Sequence, residues 1–419
     1  MPQSSSGNAV RRRKVFYVPG YDPRPPRQYR ELFRAEGAEQ ARISGYQLDV
    51  GRADEKGPHC WSVSAQIDGR QVETEFEVLV WADIVRNSMS QTIAATYWQL
   101  LRTGWVYVAT GTLRRLMWMR KGPVIAALYP VVVLLFQLLL AMVLGSLLAA
   151  LGTSILNAGL GLFGLSGGSL SNLIWMGLFI AGLVPVLRWF KSKDDRIYAY
   201  YLMHDFAFSA RWRGAYAPSL EERLNEFRQQ LADATSSDFD EVLVVGHSSG
   251  CHLAISFVAD MLRAIPTKQQ SAELSLLTLG HVVPMVSFLP KANRLRADLR
   301  FVSTSNDLTW VDVSAPGDGC SFALCDPVAV SGVATADKRG PLVISAAFSQ
   351  TLSERKQKDL KGRFFRLHFQ YLCAFDQPKD YDYFQITAGP LPLKRRYEGR
   401  QPSKSRIDVP ASKHTSVAA

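Results

Sequence analysis

Charge is what one long part of this 419-residue chain lacks. From Gly122 to Leu187, 66 residues pass without an Asp, Glu, Lys, Arg or His. At the chain's average charge density, such a gap would arise by chance less than about once in a million, so it reflects the medium around the segment. A soluble insert would carry a solvated charged face, so the expected medium is a bilayer. Cysteine is sparse as well. Five residues, an odd number without repeated spacing, exclude a disulfide framework and point to a reducing compartment. Cys320 and Cys325 lack the spacing and partners of a zinc site. Met1 to Val10 is polar and has no apolar core, so no signal peptide is expected. The chain has no internal repeat, phosphate-binding glycine loop, dinucleotide fingerprint or metal-ligand spacing, and therefore no cofactor is expected.

The charge present is unbalanced, at a net +11. Much of the excess lies in Arg11 to Lys14, in the flanks of the charge-free segment, and in Lys394 to Arg396. Such clusters suit an anionic lipid surface, and without a nucleic-acid motif beside them nucleic acid is not the expected partner. Two apolar runs, 29 residues from Pro123 to Leu151 and 18 from Leu170 to Leu187, are each long enough to cross a hydrocarbon core of about 30 Å. Gly152 to Ser169 joins them and is rich in Gly, Ser and Asn, so residues 122–190 are expected to form a two-helix transmembrane hairpin. Basic residues flank both outer ends (Arg120 and Lys121; Arg188, Lys191 and Lys193). The positive-inside tendency then puts both ends in the cytoplasm, and the hairpin in the inner membrane if the source is bacterial. Residues 91–121, with Tyr97, Trp98, Trp105, Tyr107 and Trp118 ahead of Arg120 and Lys121, are expected to lie along the interface.

Outside the hairpin the pattern alternates strand and helix, which predicts an α/β fold with a mostly parallel sheet. Its first part is expected at 14–90, with strands at Lys14 to Val18, Ile43 to Val50, Cys60 to Ile67 and Gln71 to Val80, the last two separated by the hairpin signal Asp68-Gly69. The second part is expected at 191–395, with strands at Glu241 to Val245, Glu273 to Leu279, Leu308 to Val313 and Leu342 to Phe348, and a helix at Lys291 to Leu299. Residues 1–13 and the basic tail 396–419 are expected to lack structure.

The chemistry centres on Gly246-His247-Ser248-Ser249-Gly250. An apolar β-branched run precedes it and an amphipathic run follows, so the serine sits where a strand turns sharply into a helix. The glycines two residues either side are needed because a side chain would clash in so tight a turn. This makes Ser248 the candidate nucleophile, with the Ser249 N–H as one donor to a developing oxyanion. His247 and His252 read as structural neighbours, since a catalytic histidine arrives from elsewhere in the chain. The early Val18-Pro19-Gly20-Tyr21 turn places Gly20 and Tyr21 for the second donor.

On these residues, and on the order in which acid and histidine candidates follow, the soluble parts resemble the α/β-hydrolase superfamily over roughly residues 14–90 and 197–390, with the hairpin as an insertion. The resemblance implies the order serine, acid, histidine. Asp318 falls where the acid-bearing loop would be. Asp312, within the preceding strand, and Asp326, in the Cys-Asp-Pro turn, are the alternatives. His368 is the expected base, since His414 lies near the chain end, and His281 is held in reserve. The expected activity is hydrolysis of a carboxylic ester through an acyl-serine intermediate, on a lipid or other hydrophobic substrate concentrated at the membrane. A thioesterase or an acyltransferase would use the same three side chains, and a membrane scaffold that keeps the fold without turnover is the non-enzymatic alternative.

Overall fold

The computed structural model describes residues 9–53, 57, 59–89, 92–264 and 271–418. Eight strands form one sheet: β1 (Arg12–Val18), β2 (Gln47–Ala53), β3 (Cys60–Ile67), β4 (Arg70–Val78), β5 (Glu241–His247), β6 (Glu273–Leu279), β7 (Thr309–Ser314) and β8 (Leu342–Ser345). Their spatial order is β2-β3-β4-β1-β5-β6-β7-β8. Every pair from β4–β1 to β7–β8 is parallel, while β2–β3 and β3–β4 are antiparallel. Asp68 and Gly69, both with positive φ (52° and 71°), make the tight turn between β3 and β4. The fold is thus α/β, with helices flanking a mostly parallel sheet.

Twelve helices are labelled in chain order: α1 (Arg27–Ser44), α2 (Ala82–Ser88), α3 (Ile93–Ala109), α4 (Thr112–Met119), α5 (Lys121–Leu162), α6 (Gly168–Ser192), α7 (Asp194–Ile197), α8 (Ala199–Arg211), α9 (Pro218–Thr235), α10 (Gly250–Ala264), α11 (Val283–Ser287) and α12 (Asn293–Thr304). Tyr29 and Phe33 of α1 join Val15, Phe76, Val245, Val311 and Val313 in one core, completed by Tyr371, Phe375 and Phe384 from late in the chain. Helix α10 follows β5 and is buried almost throughout, with Phe257 meeting Phe227 of α9 edge to face at 5.8 Å. A helix buried on all sides belongs in the interior of a layered domain.

The chain divides into two compact units. One comprises residues 1–87, 106–124 and 209–419, and the other 88–105 and 125–208. The second unit holds most of α5, which has 42 residues, and all of α6, which has 25. At 1.5 Å per residue these span about 63 and 38 Å, so both helices are long and apolar enough to cross a membrane. They meet through small residues. A Cβ on Gly182 would lie 2.8 Å from Gly145 Cα, an approach only glycine permits.

Several sequence expectations need correction. The apolar helices outrun 123–151 and 170–187, and the expected Gly/Ser/Asn-rich turn shrinks to residues 163–167. A helix satisfies its own backbone hydrogen bonds, so small residues do not end it where neighbours pack on them. Ser171 Oγ donates to Asn157 Oδ1 at 2.6 Å, and Gly152 lies against Leu178. The stretch 91–121 is not one interfacial element. Its second half joins the α/β unit, with Tyr107 donating to Met285 O at 3.0 Å and Thr112 to Phe288 O at 3.1 Å. Trp98, Trp105 and Trp118 stay exposed. Residues Ile43 and Ser44 finish α1 instead of opening β2, and the helix expected at Lys291 begins at Asn293.

The ends of the chain differ as well. Arg12 and Arg13, expected to lack structure, are in β1, and residues 1–8 lie outside the described residues. Half of the Arg11 to Lys14 cluster turns inward, while Arg11 and Arg12 stay exposed. Arg13 is fully buried, with Nε donating to Glu241 Oε2 at 2.7 Å and its Nη atoms donating to Gly389 O and Leu391 O. Lys14 pairs with Glu77 at 2.8 Å. The tail after Arg400 has no helix or strand but is held along the α/β unit. Asp326 N–H donates to Ile407 O at 2.8 Å, Ser403 N–H to Val343 O at 2.9 Å, and buried Arg296 donates from Nε to Ser416 O at 2.7 Å. Composition suggested disorder there, but fixed carbonyl and guanidinium partners supply the order.

Glu241 also accepts from Ser275 Oγ and the Leu393 N–H, at 2.7 and 2.8 Å. Replacing it with alanine leaves the Arg13 guanidinium buried without a counter-charge. Glu241→Ala is expected to lower stability by about 3–5 kcal/mol, measured as the denaturant midpoint of the full chain in mild detergent.

Candidate active site

The elbow is built from backbone crowding. Every residue of β5 is buried, and immediately after it Ser248 adopts φ 57°, in the left-handed region. A Cβ on Gly246 would lie 2.8 Å from Cys251 Cα. One on Gly250 would overlap Val18 O and lie 2.5 Å from Pro19 O, so both glycines are sterically required. The Ser248 N–H donates to Leu279 O at 3.0 Å, tying the strained residue to the end of β6. Ser248 itself is half-buried.

The turn after β1 closes over the serine. A Cβ on Gly20 would stand 3.0 Å from Ser248 Cβ and 3.4 Å from Ser248 Oγ. Tyr21, expected to offer its N–H to an oxyanion, donates it instead to Ser249 Oγ at 2.7 Å. That proton is committed, and its bond joins the early turn to the elbow. Among the described residues, the N–H groups of Gly20 and Ser249 make no hydrogen bond.

The candidate acid and the candidate base meet from segments after β7 and β8. Asp318 follows β7, and His368 ends a short helix, Phe364–His368. His368 Nδ1 lies 2.7 Å from Asp318 Oδ2. The other Asp318 oxygen, Oδ1, accepts the Cys320 N–H at 2.9 Å. Burial pushes the Asp318 carboxyl up, but the charge and hydrogen bond of His368, with the Cys320 N–H, outweigh it and hold the carboxyl below its usual range. An ionised Asp318 assigns the proton to Nδ1 of His368. The opposite nitrogen, Nε2, is then an acceptor, and among the described residues it is buried without a hydrogen-bond partner.

His368 also sits against the elbow. Its Cε1 would be 3.2 Å from a Cβ on Gly280, the residue after Leu279, to which the serine is tied. The His247 ring stands 4.8 Å from the His368 ring, and its Nε2 is 3.1 Å from His368 O. Burial, then the neighbouring His368, lowers His247 to about 3. A neutral His247 therefore donates from Nε2 to that carbonyl and fixes where the segment ending in His368 stops.

The alternative residues lie elsewhere. Asp312 accepts from Thr278 Oγ1 at 2.6 Å and lies 3.8 Å from His281 Nε2, which meets Cys325 O at 2.8 Å. Burial, offset by His281 and Thr278, raises Asp312 to about 6. Strand alternation explains its exclusion. Val311 and Val313 point to the core face that includes Tyr371, so Asp312 points to the other face. Asp326 caps the helix Pro327–Val330 and pairs with Lys338 at 2.6 Å. His414 lies in the pinned tail.

Sequence reasoning missed Tyr371. Its hydroxyl donates to Asp318 Oδ2 at 3.0 Å and accepts the Ala315 N–H at 2.9 Å, bracing the acid against the end of β7. An aromatic three residues from the histidine candidate was visible in the sequence, but nothing there showed that its hydroxyl reaches Asp318. Sequence spacing also concealed two donor groups that could meet a cation. Asp318, Cys320 and His368 offer atoms within 4.8 Å of one another, as do His59, Cys60 and Glu77. In the first group, the histidine and carboxylate already bond to each other.

Scans against protein-family models, curated proteins and solved structures found no match to this chain. The geometry therefore carries the functional argument.

Tyr371→Phe removes one donor to a buried carboxylate and the acceptor of a buried N–H. A loss of about 1–3 kcal/mol is expected, read from the denaturant midpoint. A second outcome concerns pH. Burial lowers His252 to about 3 from 6.5, so the unfolded chain takes up its proton first as pH falls. The contribution of this neutral ring is intact above about 6.5 and is lost toward 3. In His252→Gln, the fall of stability with pH in that window should be shallower by about 1.4 kcal/mol per pH unit, measured by denaturation at stepped pH.

Proposed function

We propose that the chain is a membrane-anchored serine hydrolase of the α/β-hydrolase type, cleaving a carboxylic ester of a lipid or other hydrophobic substrate. The observation that carries this reading is the His368–Asp318 pair at 2.7 Å, held at the same edge of the sheet as a left-handed serine between two sterically required glycines. Nucleophile, base and acid all come from segments after the carboxyl ends of β5, β7 and β8, where parallel sheets build their sites. The chain order serine, acid, histidine is that of this hydrolase class.

In the proposed reaction, Ser248 Oγ attacks the ester carbonyl and His368 Nε2 takes its proton. The proton then passes to the departing alkoxide, which leaves as the alcohol, and Asp318 stabilises the imidazolium between these steps. Water, deprotonated by the same nitrogen, attacks the acyl-serine and releases the carboxylic acid. The Ser249 and Gly20 N–H groups are the proposed oxyanion donors, each contributing roughly 3 kcal/mol to the barrier reduction. Helices α5 and α6 supply the proposed anchor. The basic residues at their outer ends favour a cytoplasmic α/β unit.

A fluorophosphonate probe should label the full chain, and Ser248→Ala should abolish labelling while leaving the protein folded. A folded wild-type chain that takes no label would support a non-catalytic scaffold. After detergent-free lysis and ultracentrifugation the protein should be found in the pellet. Recovery in the supernatant would remove the anchor from the proposal.

A further inference from the structure

The loop that bears Asp318 is enclosed by elements distant in sequence. A Cβ on Gly122, in the first turn of α5, would lie 3.1 Å from Gly319 Cα and 3.2 Å from Gly319 O. These are backbone atoms, with no rotamer through which to yield. Across the loop, a Cβ on Gly319 would lie 3.6 Å from Cδ1 of Phe364, which opens the short helix ending in His368. The root of α5 holds the same loop a second time, because Arg120 Nε donates to Ala323 O at 2.8 Å. The tail closes the loop's far end through the Ile407 N–H, which donates to Leu324 O at 2.7 Å.

We propose that the root of α5 is a positioning element for the Asp318–His368 pair, with Gly122 as the residue that sets the seat of the acid loop. This deepens the hydrolase reading and rests on it. Gly319 is the neighbour of Asp318 in the chain and stands between Gly122 and the helix of the base. Any side chain at 122 must push the backbone of Gly319, and the displacement reaches both the carboxylate and the start of the base-bearing helix. Gly122 and Arg120 pack with the α/β unit, whereas the rest of α5 continues into the apolar unit. The arrangement of the acid thus depends on where the long apolar helix begins.

The test compares wild type, Gly122→Val, Gly122→Ala and Gly159→Val as full chains in the same detergent. Gly159 lies in α5 with nothing near its added Cβ, so it controls for a valine in the helix. The readouts are the second-order rate of fluorophosphonate labelling, its pH profile and the thermal midpoint. Gly122→Val is expected to label about tenfold or more slowly at an unchanged thermal midpoint, since small misplacements of catalytic groups cost one to two decades of rate. The acid limb of its profile should move to lower pH, because a looser carboxylate supports the protonated imidazole less. Gly122→Ala should move the same readouts in the same direction by less, and it decides the matter if the valine variant does not fold. Gly159→Val should label at the wild-type rate. A folded Gly122→Val that labels like wild type with an unshifted profile overturns the proposal alone. A folded wild-type chain that takes no label overturns the hydrolase reading and this inference with it.

Discussion

The candidate site depends on how closely four stretches of backbone approach at the carboxyl edge of the sheet. Ser248 occupies a left-handed conformation that costs an L-residue about 1–2 kcal/mol. The surrounding chain compensates, through the bond to Leu279 O and the packing of α10 under β1. Each approach uses a glycine in place of a side chain: Gly250 against the β1 turn, Gly246 against the first turn of α10, Gly20 over the serine, and Gly280 against His368 and Tyr371. Side chains of ordinary size would hold these segments apart. Their absence lets a hydroxyl, an imidazole and a carboxylate from distant parts of the chain share one edge.

Buried charge is the second organising feature, and it is consistently partnered. Arg13 and Glu241 satisfy each other and carbonyls near the C-terminus, which fastens β1 and β5 to a segment almost 150 residues beyond β5. Asp318 has a donor on each oxygen and a second one from Tyr371. Arg296 meets only neutral oxygens, donating to Ser287 O, Leu289 O and Ser416 O among others, and burial lowers it to about 10. A guanidinium left without these partners would be costly in the interior, so each such cluster pins the chain segments that supply the oxygens.

The long apolar insertion enters between β4 and β5, the two strands that flank β1. A connection there must already cross β1, and lengthening a crossover adds little to its closure entropy. This accounts for how 66 charge-free residues fit within an α/β chain without interrupting the sheet. The insert's leading end remains part of the α/β unit through Tyr107, Thr112 and Arg120, which donate to carbonyls of that unit.

Local pattern was enough to read several features. The charge-free segment, the β5 strand with its flanking glycines, the Asp68-Gly69 turn and the strand-helix alternation all depend on neighbours within a few residues, and the chemistry of those neighbours is written in order. The sequence alone therefore determined the α/β class, the presence of two long apolar helices and the strained serine. Tertiary structure decided the rest. Local pattern favoured Asp318 for its place in the loop after a strand, but it left Asp312 in that strand and Asp326 in the next turn open as alternatives. Only the face to which each strand or loop turns them separated one carboxylate bonded to His368 from one bonded to Thr278 and one capping a helix. The bond of the Tyr21 N–H to Ser249 and that of the Tyr371 hydroxyl to Asp318 were hidden for the same reason, because a hydrogen-bond partner 228 or 53 residues away leaves no local trace. Arg13 looked like a surface cation until a central strand placed it beside Glu241. Such pairings are set by which segments the sheet order makes adjacent, and adjacency in space is not carried by any short stretch of chain.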